Sequence, residues 1–216
     1  MNDRLISTNR TGRLGCICLV LLVTVGISAK STALPASPQD NVRSLYQTLL
    51  ATMKDARTLG ESGRYARLAP VVGRVFDIPL MARLSIGPSW AGLSDAQRQK
   101  ATQSYGRYIS AVYADRFDSY NGQKFEVNGE QQAAYGVLVE SQIIKANGDP
   151  VKVDYVMRRN ANGWLISDIY LDSTISEVAL RRSEFATILR SNGVDGLIAA
   201  LDRKTDSLIR GMGRSS

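Results

Sequence analysis

The sequence predicts an α+β fold: a four-stranded antiparallel meander packed against helices from both ends of the chain, with an apolar cavity between the layers. Three observations carry this expectation. Apolar residues recur at spacings of three and four from Val42 to Phe117. The period then changes to two between Phe125 and Leu171, and a helical spacing returns from Thr174 to Leu208. A length of 216 residues, with 44% hydrophobic and 22% charged side chains, suits one soluble domain rather than a disordered or coiled-coil chain.

The first 33 residues read as an export signal. Arg4, Arg10 and Arg13 make a basic start, Leu14 to Ala29 is apolar, and Ser31-Thr32-Ala33 puts small residues where a peptidase cuts. An uncleaved anchor is the alternative, although about 16 apolar residues is short for a membrane span. Cleavage near Ala33 makes the protein periplasmic and leaves a domain over residues 34–210 and a flexible tail over 211–216. It also removes Cys16 and Cys18, so that the exported chain has no disulfide, thiolate nucleophile or cysteine-ligated metal. The charge falls from +7 to +4, with 23 basic and 19 acidic residues, too small an excess to argue for nucleic acid.

Ser37-Pro38-Gln39-Asp40 opens the first helix, with Ser37 as cap and Pro38 in the first turn. Val42, Leu45, Tyr46, Leu49, Leu50 and Met53 form its apolar face, and the helix is expected to reach Gly60. A second helix is expected from about Arg64 to Phe76, kinked or divided at Pro70. Asp77 caps a short third helix, Ile78 to Ser85, which ends in the loop Gly87-Pro88-Ser89-Trp90-Ala91-Gly92. Ser94 and Gln97 form a capping box for the longest helix, running to about Ser119. Its apolar stripe is aromatic: Tyr105, Tyr108, Ile109, Val112, Tyr113 and Phe117.

Alternation over two residues begins after Asn121-Gly122. Phe125 and Val127 mark the first strand. Tyr135, Val137, Val139 and Ser141 share one face of the second, and Val151, Val153, Tyr155 and Met157 one face of the third. In the fourth, Leu165, Ile169 and Leu171 are expected on one face, with Trp164, Ile166 and Tyr170 opposite. That strand is apolar on both sides and should be central or covered twice. Asn128-Gly129, Asn147-Gly148 and Asn162-Gly163 supply hairpin turns. Thr174 and Glu177 read as a capping box for a helix to about Ser191. Asn192-Gly193 ends it, and a last helix carries Val194, Leu197, Ile198, Leu201 and Leu208.

The sequence contains no histidine, which excludes Ser-His-Asp and Cys-His catalysis and His-ligated metals. No phosphate-binding glycine loop, nucleophile elbow or EF-hand is present, and no cofactor or metal is expected. Asp168 and Asp172 form the strongest catalytic pair, since alternation along the fourth strand can turn both inward for acid/base work. Their structural alternative is to hold a neighbouring loop and a helix start. Arg158-Arg159, Arg181-Arg182 and Arg203-Lys204 read first as solvated faces. What remains is a cavity binder: Tyr105, Tyr108, Ile109 and Val112 from the long helix facing Val137, Val139, Val153, Tyr155, Ile169 and Leu171 of the sheet.

Phe76-Asp77-Ile78-Pro79-Leu80-Met81-Ala82, Gly87…Trp90 and Leu93-Ser94-Asp95-Ala96-Gln97-Arg98 resemble the MlaC/toluene-tolerance auxiliary family. Tyr120-Asn121-Gly122-Gln123-Lys124, Gly163-Trp164 with Asp168, Arg181 with Phe185, and Asp195-Gly196-Leu197-Ile198 follow in the same order. The resemblance spans roughly Ser37 to Leu201. It implies a periplasmic lipid-binding shuttle without catalytic residues. The implied cargo is phospholipid or hopanoid, and the implied partners are an inner-membrane ABC-type transporter and an outer-membrane lipoprotein. Ala179-Leu180-Arg181 stands where the family commonly shows Asn-Tyr-Arg. The Gly-Pro-Ser-Trp loop is more similar to the hopanoid-biosynthesis-associated branch. A small acid/base enzyme and a lipid-free periplasmic adaptor are the competing readings.

Overall fold

Helix and strand periods translate into five helices and one antiparallel sheet in the computed structural model, which describes residues 37–161 and 163–211. The expected export signal and residues 212–216 of the expected tail lie outside the described residues. Helix α1 (Pro38–Lys54) begins as expected: the Ser37 hydroxyl accepts from the Asp40 N–H, and the Asp40 carboxylate accepts from the Ser37 N–H. The chain turns at Asp55 rather than Gly60. Helix α2 (Ala56–Val75) is interrupted at Gly60, whose φ of 60° leaves the helical region, while Pro70 sits inside without breaking it. Glycine takes that φ freely, and a proline costs only one backbone bond where packing holds the helix. Helix α3 (Ile78–Ile86) is capped by Asp77, which accepts from the Leu80 N–H, and a 3₁₀ turn covers Gly87–Gly92. Helix α4 (Asp95–Arg116) carries the Ser94–Gln97 capping box. Helix α5 (Glu177–Ile209) is interrupted at Gly193, φ 64°, at the expected stop.

The sheet has five strands in the order β1-β2-β3-β4-β5, one more than the sequence predicts. They are β1 (Lys124–Ala133), β2 (Gly136–Ile144), β3 (Pro150–Asn160), β4 (Gly163–Leu171) and the two-residue β5 (Ile175–Ser176). Asp172 and Ser173 adopt φ of 49° and 58°, which turns the chain back so that Ile175 and Ser176 pair with Leu171 and Tyr170. Ser176, not Thr174, is therefore the cap of α5, accepting from the Ala179 N–H.

Two bulges explain the other corrections. Asn128-Gly129 is not a hairpin turn: β1 runs through it with a register shift between Val127 and Gly129. The connection comes after Ala133, and Gly136 (φ 147°) opens β2 where a Cβ would lie 2.0 Å from the Met157 carbonyl oxygen. On β4, Met157 pairs with Ile166 but Val156 pairs with Asp168, so Ser167 is the extra residue. An extra residue shifts the alternation by one. Ile166 therefore joins Ile169 on the inner face, and is fully buried, while Leu165 is only half-buried.

The inner face packs on all five helices in one continuous core containing Leu45, Leu68, Phe76, Tyr105, Val139, Ile166 and Leu197. Strand β4 is not central. Its outer edge is covered piecewise: the Asn41 side chain donates to the Trp164 carbonyl, the Asp77 N–H donates to the Ile166 carbonyl at 2.8 Å, and β5 takes the end. That cover uses groups which an exposed edge would offer to another chain.

Candidate functional site

Where α4 crosses the inner face of the sheet, the packing leaves a pocket of about 160 Å³. Its helical wall is Tyr105, Ile109, Val112, Tyr113 and Phe117, spaced by three and four along α4. Its sheet wall is Ile143, Val151, Val153, Tyr155, Ile169 and Leu171, spaced by two within each strand. Met81 of α3 contributes from one side, and Arg116, Glu177 and Arg181 are its charged residues. Seven of the ten expected site residues line it: Tyr105, Ile109, Val112, Val153, Tyr155, Ile169 and Leu171. Tyr108, Val137 and Val139 do not. They are buried in the core but form no part of the pocket lining, so that a shared face does not mean a shared cavity.

Sequence reasoning missed eight lining residues, for separable reasons. Tyr113 and Phe117 stood in the α4 stripe and Val151 in the third-strand alternation, and Ile143 continues the second-strand alternation past Ser141. Those four were legible from the periods themselves, Ile143 by carrying one of them a step further. Met81 depends on how α3 docks. Arg116, Glu177 and Arg181 carry charge at helical positions, a pattern that describes a solvated face equally well. The structure corrects that reading for Arg181, which is only 7% exposed.

Hydroxyl groups buried beside the pocket bond to one another. Tyr46 pairs with Ser141 at 2.6 Å, and the Ser141 hydroxyl donates to the Val153 carbonyl. The Ser85 hydroxyl donates to the Tyr105 oxygen at 3.3 Å. Burial disfavours the phenolate, raising Tyr46, Tyr113 and Tyr155 and pushing Tyr105 up to about 12. The folded state thus holds these protons more tightly than the unfolded chain. The stability they contribute is full below pH ~10 and is lost as pH rises towards 12. The thermal midpoint should fall across that window, and Tyr105→Phe should lessen the fall. Equal pH profiles for wild type and Tyr105→Phe would contradict this.

The expected acid/base pair does not assemble. The Asp168 carboxylate accepts from the Ile169 N–H (2.7 Å), the Val178 N–H (3.1 Å) and the Ser176 hydroxyl (2.6 Å), fastening the start of α5 to β4. Asp172 is exposed in the β4–β5 turn, and neither residue lines the pocket. Ile169 and Leu171 face inward, which turns Asp168 to the opposite face, and Asp172 lies past the end of β4 in a turn with φ 49°. Asp154 is buried but accepts from the Ser141 N–H and the Ser173 hydroxyl. Among the described residues, no three acidic side chains gather into a metal-sized cluster, and no helix is long and apolar enough to cross a membrane.

A family model described as MlaC protein matches residues 43–203, most of the chain and nearly all of the described fold. The chain belongs to the MlaC family. Among individual MlaC relatives, a protein of Haemophilus influenzae named "Intermembrane phospholipid transport system binding protein MlaC" is 25% identical over 129 residues. That match covers 57% of this chain, which spans about 60% of the length of the relative. The fold matches a phospholipid-binding protein from Ralstonia solanacearum, solved in complex with a phospholipid, with a TM-score of 0.69. The match covers 80% of this chain and 99% of the other, at 23% identity, and so speaks to the fold. MlaC membership and the α+β architecture therefore agree with what the motif order implied.

Proposed function

We propose that this MlaC-family chain is a periplasmic lipid carrier that holds the apolar part of a phospholipid or hopanoid between α4 and the sheet. The observation that carries this reading is the lining: of the fifteen side chains around the pocket, only Arg116, Glu177 and Arg181 are charged. Burial of acyl or ring carbon against such a wall contributes about 25 cal/mol per Å². The names of the two relatives, one binding phospholipid and one a binding protein of an intermembrane phospholipid transport system, support the same class of cargo. A pocket of 160 Å³ lies below the roughly 300–1,000 Å³ of small-molecule sites, so lipid enters by spreading the helices from the sheet. Residues 1–33 act as the export signal, and the carrier exchanges cargo with an ABC-type transporter at one membrane and a lipoprotein at the other.

The test is purification from a host with a Gram-negative envelope, followed by organic extraction and mass spectrometry. Stoichiometric phospholipid or hopanoid is the expected result, and which of the two is recovered decides between the phospholipid and hopanoid branches. Protein that is recovered empty and also refuses added phospholipid and hopanoid would overturn the reading.

A further inference from the structure

The pocket's three charged residues form one device rather than three accidents of packing. Glu177 is the first residue of α5, Arg181 stands one turn later, and Arg116 is the last residue of α4. Arg181 Nη1 donates to Glu184 at 2.6 Å and Nη2 donates to Glu177 Oε2 at 3.2 Å, with the guanidinium over the Tyr108 ring. Yet Arg181 Nε and Glu177 Oε1 are both buried without a hydrogen-bond partner. The Arg181 side chain is 8% exposed and that of Glu177 11%. Arg116 Nη1 lies 3.7 Å from Glu177 Oε1, too far for a hydrogen bond, and its side chain is half-exposed, marking the solvent side of the pocket. Leaving a buried donor and acceptor unmade is costly, and a ligand supplying both recovers that cost. The four side chains Arg116, Arg181, Glu177 and Glu184 also sum to zero charge, which gives a purely anionic group no net advantage.

We propose that Arg116, Glu177 and Arg181 form a headgroup subsite for a zwitterion bearing a phosphate and a primary ammonium, the chemistry of phosphatidylethanolamine. The phosphate accepts from Arg116 and Arg181, and the ammonium donates to Glu177 Oε1. This rests on the lipid-carrier reading. A quaternary ammonium carries no N–H and fails at Glu177. A headgroup-free diacylglycerol leaves all three groups as they are.

The experiment incubates the full exported chain with vesicles holding equal parts of phosphatidylethanolamine, phosphatidylcholine, phosphatidylglycerol and diacylglycerol of identical acyl chains. Bound lipid is then counted by native mass spectrometry. Charge-assisted hydrogen bonds predict roughly fivefold or greater enrichment of phosphatidylethanolamine over each of the others. Glu177→Gln should remove the preference over phosphatidylcholine. Arg116→Gln, at a half-exposed site that folding tolerates, should remove the preference over diacylglycerol. Uptake in proportion to supply by the wild type, or a preference unchanged in both variants, overturns the subsite while leaving the carrier intact. A wild type that takes up none of the four lipids overturns the carrier reading and the subsite with it.

Discussion

Replacing Val153 with tryptophan is expected to abolish lipid co-purification while leaving the far-ultraviolet circular dichroism unchanged. Val153 is on the pocket wall in the middle of β3, opposite Leu171, and an indole in place of its isopropyl group takes up much of a 160 Å³ cavity. Because the added bulk has a void to enter, the usual overpacking penalty of about 1–3 kcal/mol should be reduced. Val139→Trp is the contrasting control. Val139 shares the inner face but is wholly buried and forms no part of the cavity lining, so the same change should lower the thermal midpoint instead of filling the site. Lipid extracted from Val153→Trp at wild-type stoichiometry would place the cargo elsewhere.

A disulfide between α3 and the facing strand β4 is expected to stop transfer of bound lipid to acceptor vesicles, and its reduction to restore transfer. Residues 34–216 contain no cysteine, so that an engineered pair there has no native thiol to mispair with in that part of the chain. Helix α3 carries Met81 into the pocket and packs on β4, and the pair should be chosen with Cα atoms less than about 7 Å apart. Helix α3 ends at Gly87, φ 68°, and the 3₁₀ turn after it closes at Gly92, which places pivots at one end of the element. Pro70, the other pivot suggested by sequence, lies inside an unbroken stretch of α2, and the breaks are at Gly60 and Gly193. If lipid leaves by separation of α3 from the sheet, the oxidised form should transfer roughly tenfold more slowly or worse, as gating steps govern release in closing proteins. Equal rates before and after reduction would put the opening elsewhere.

Local chemistry was legible wherever one stretch of chain determines its own conformation. The caps at Ser37, Asp77 and Ser94, the stop at Gly193, and the inner faces of β2 and β3 all follow from spacing and from side chains bonding to nearby backbone. The same periods named seven pocket residues, because a cavity between a helix and a sheet is lined by the stripe of each. The sequence alone therefore determined the α+β class, the antiparallel meander, the aromatic wall of α4 and the absence of histidine chemistry. Only the tertiary structure decided three things. Bulges at Asn128 and Ser167 changed which residues face inward, since one unpaired residue reverses every later position and leaves no mark on composition. A positive-φ turn at Asp172-Ser173 turned the expected first helical residues Ile175 and Ser176 into β5 and moved the cap to Ser176, whose hydroxyl donates to Asp168, because pairing with β4 and the Ser173 hydroxyl on Asp154 hold that turn. The meeting of Arg116 with Glu177 and Arg181 joins positions more than sixty residues apart. It depends on where the end of α4 lies against the start of α5, and no local pattern encodes that.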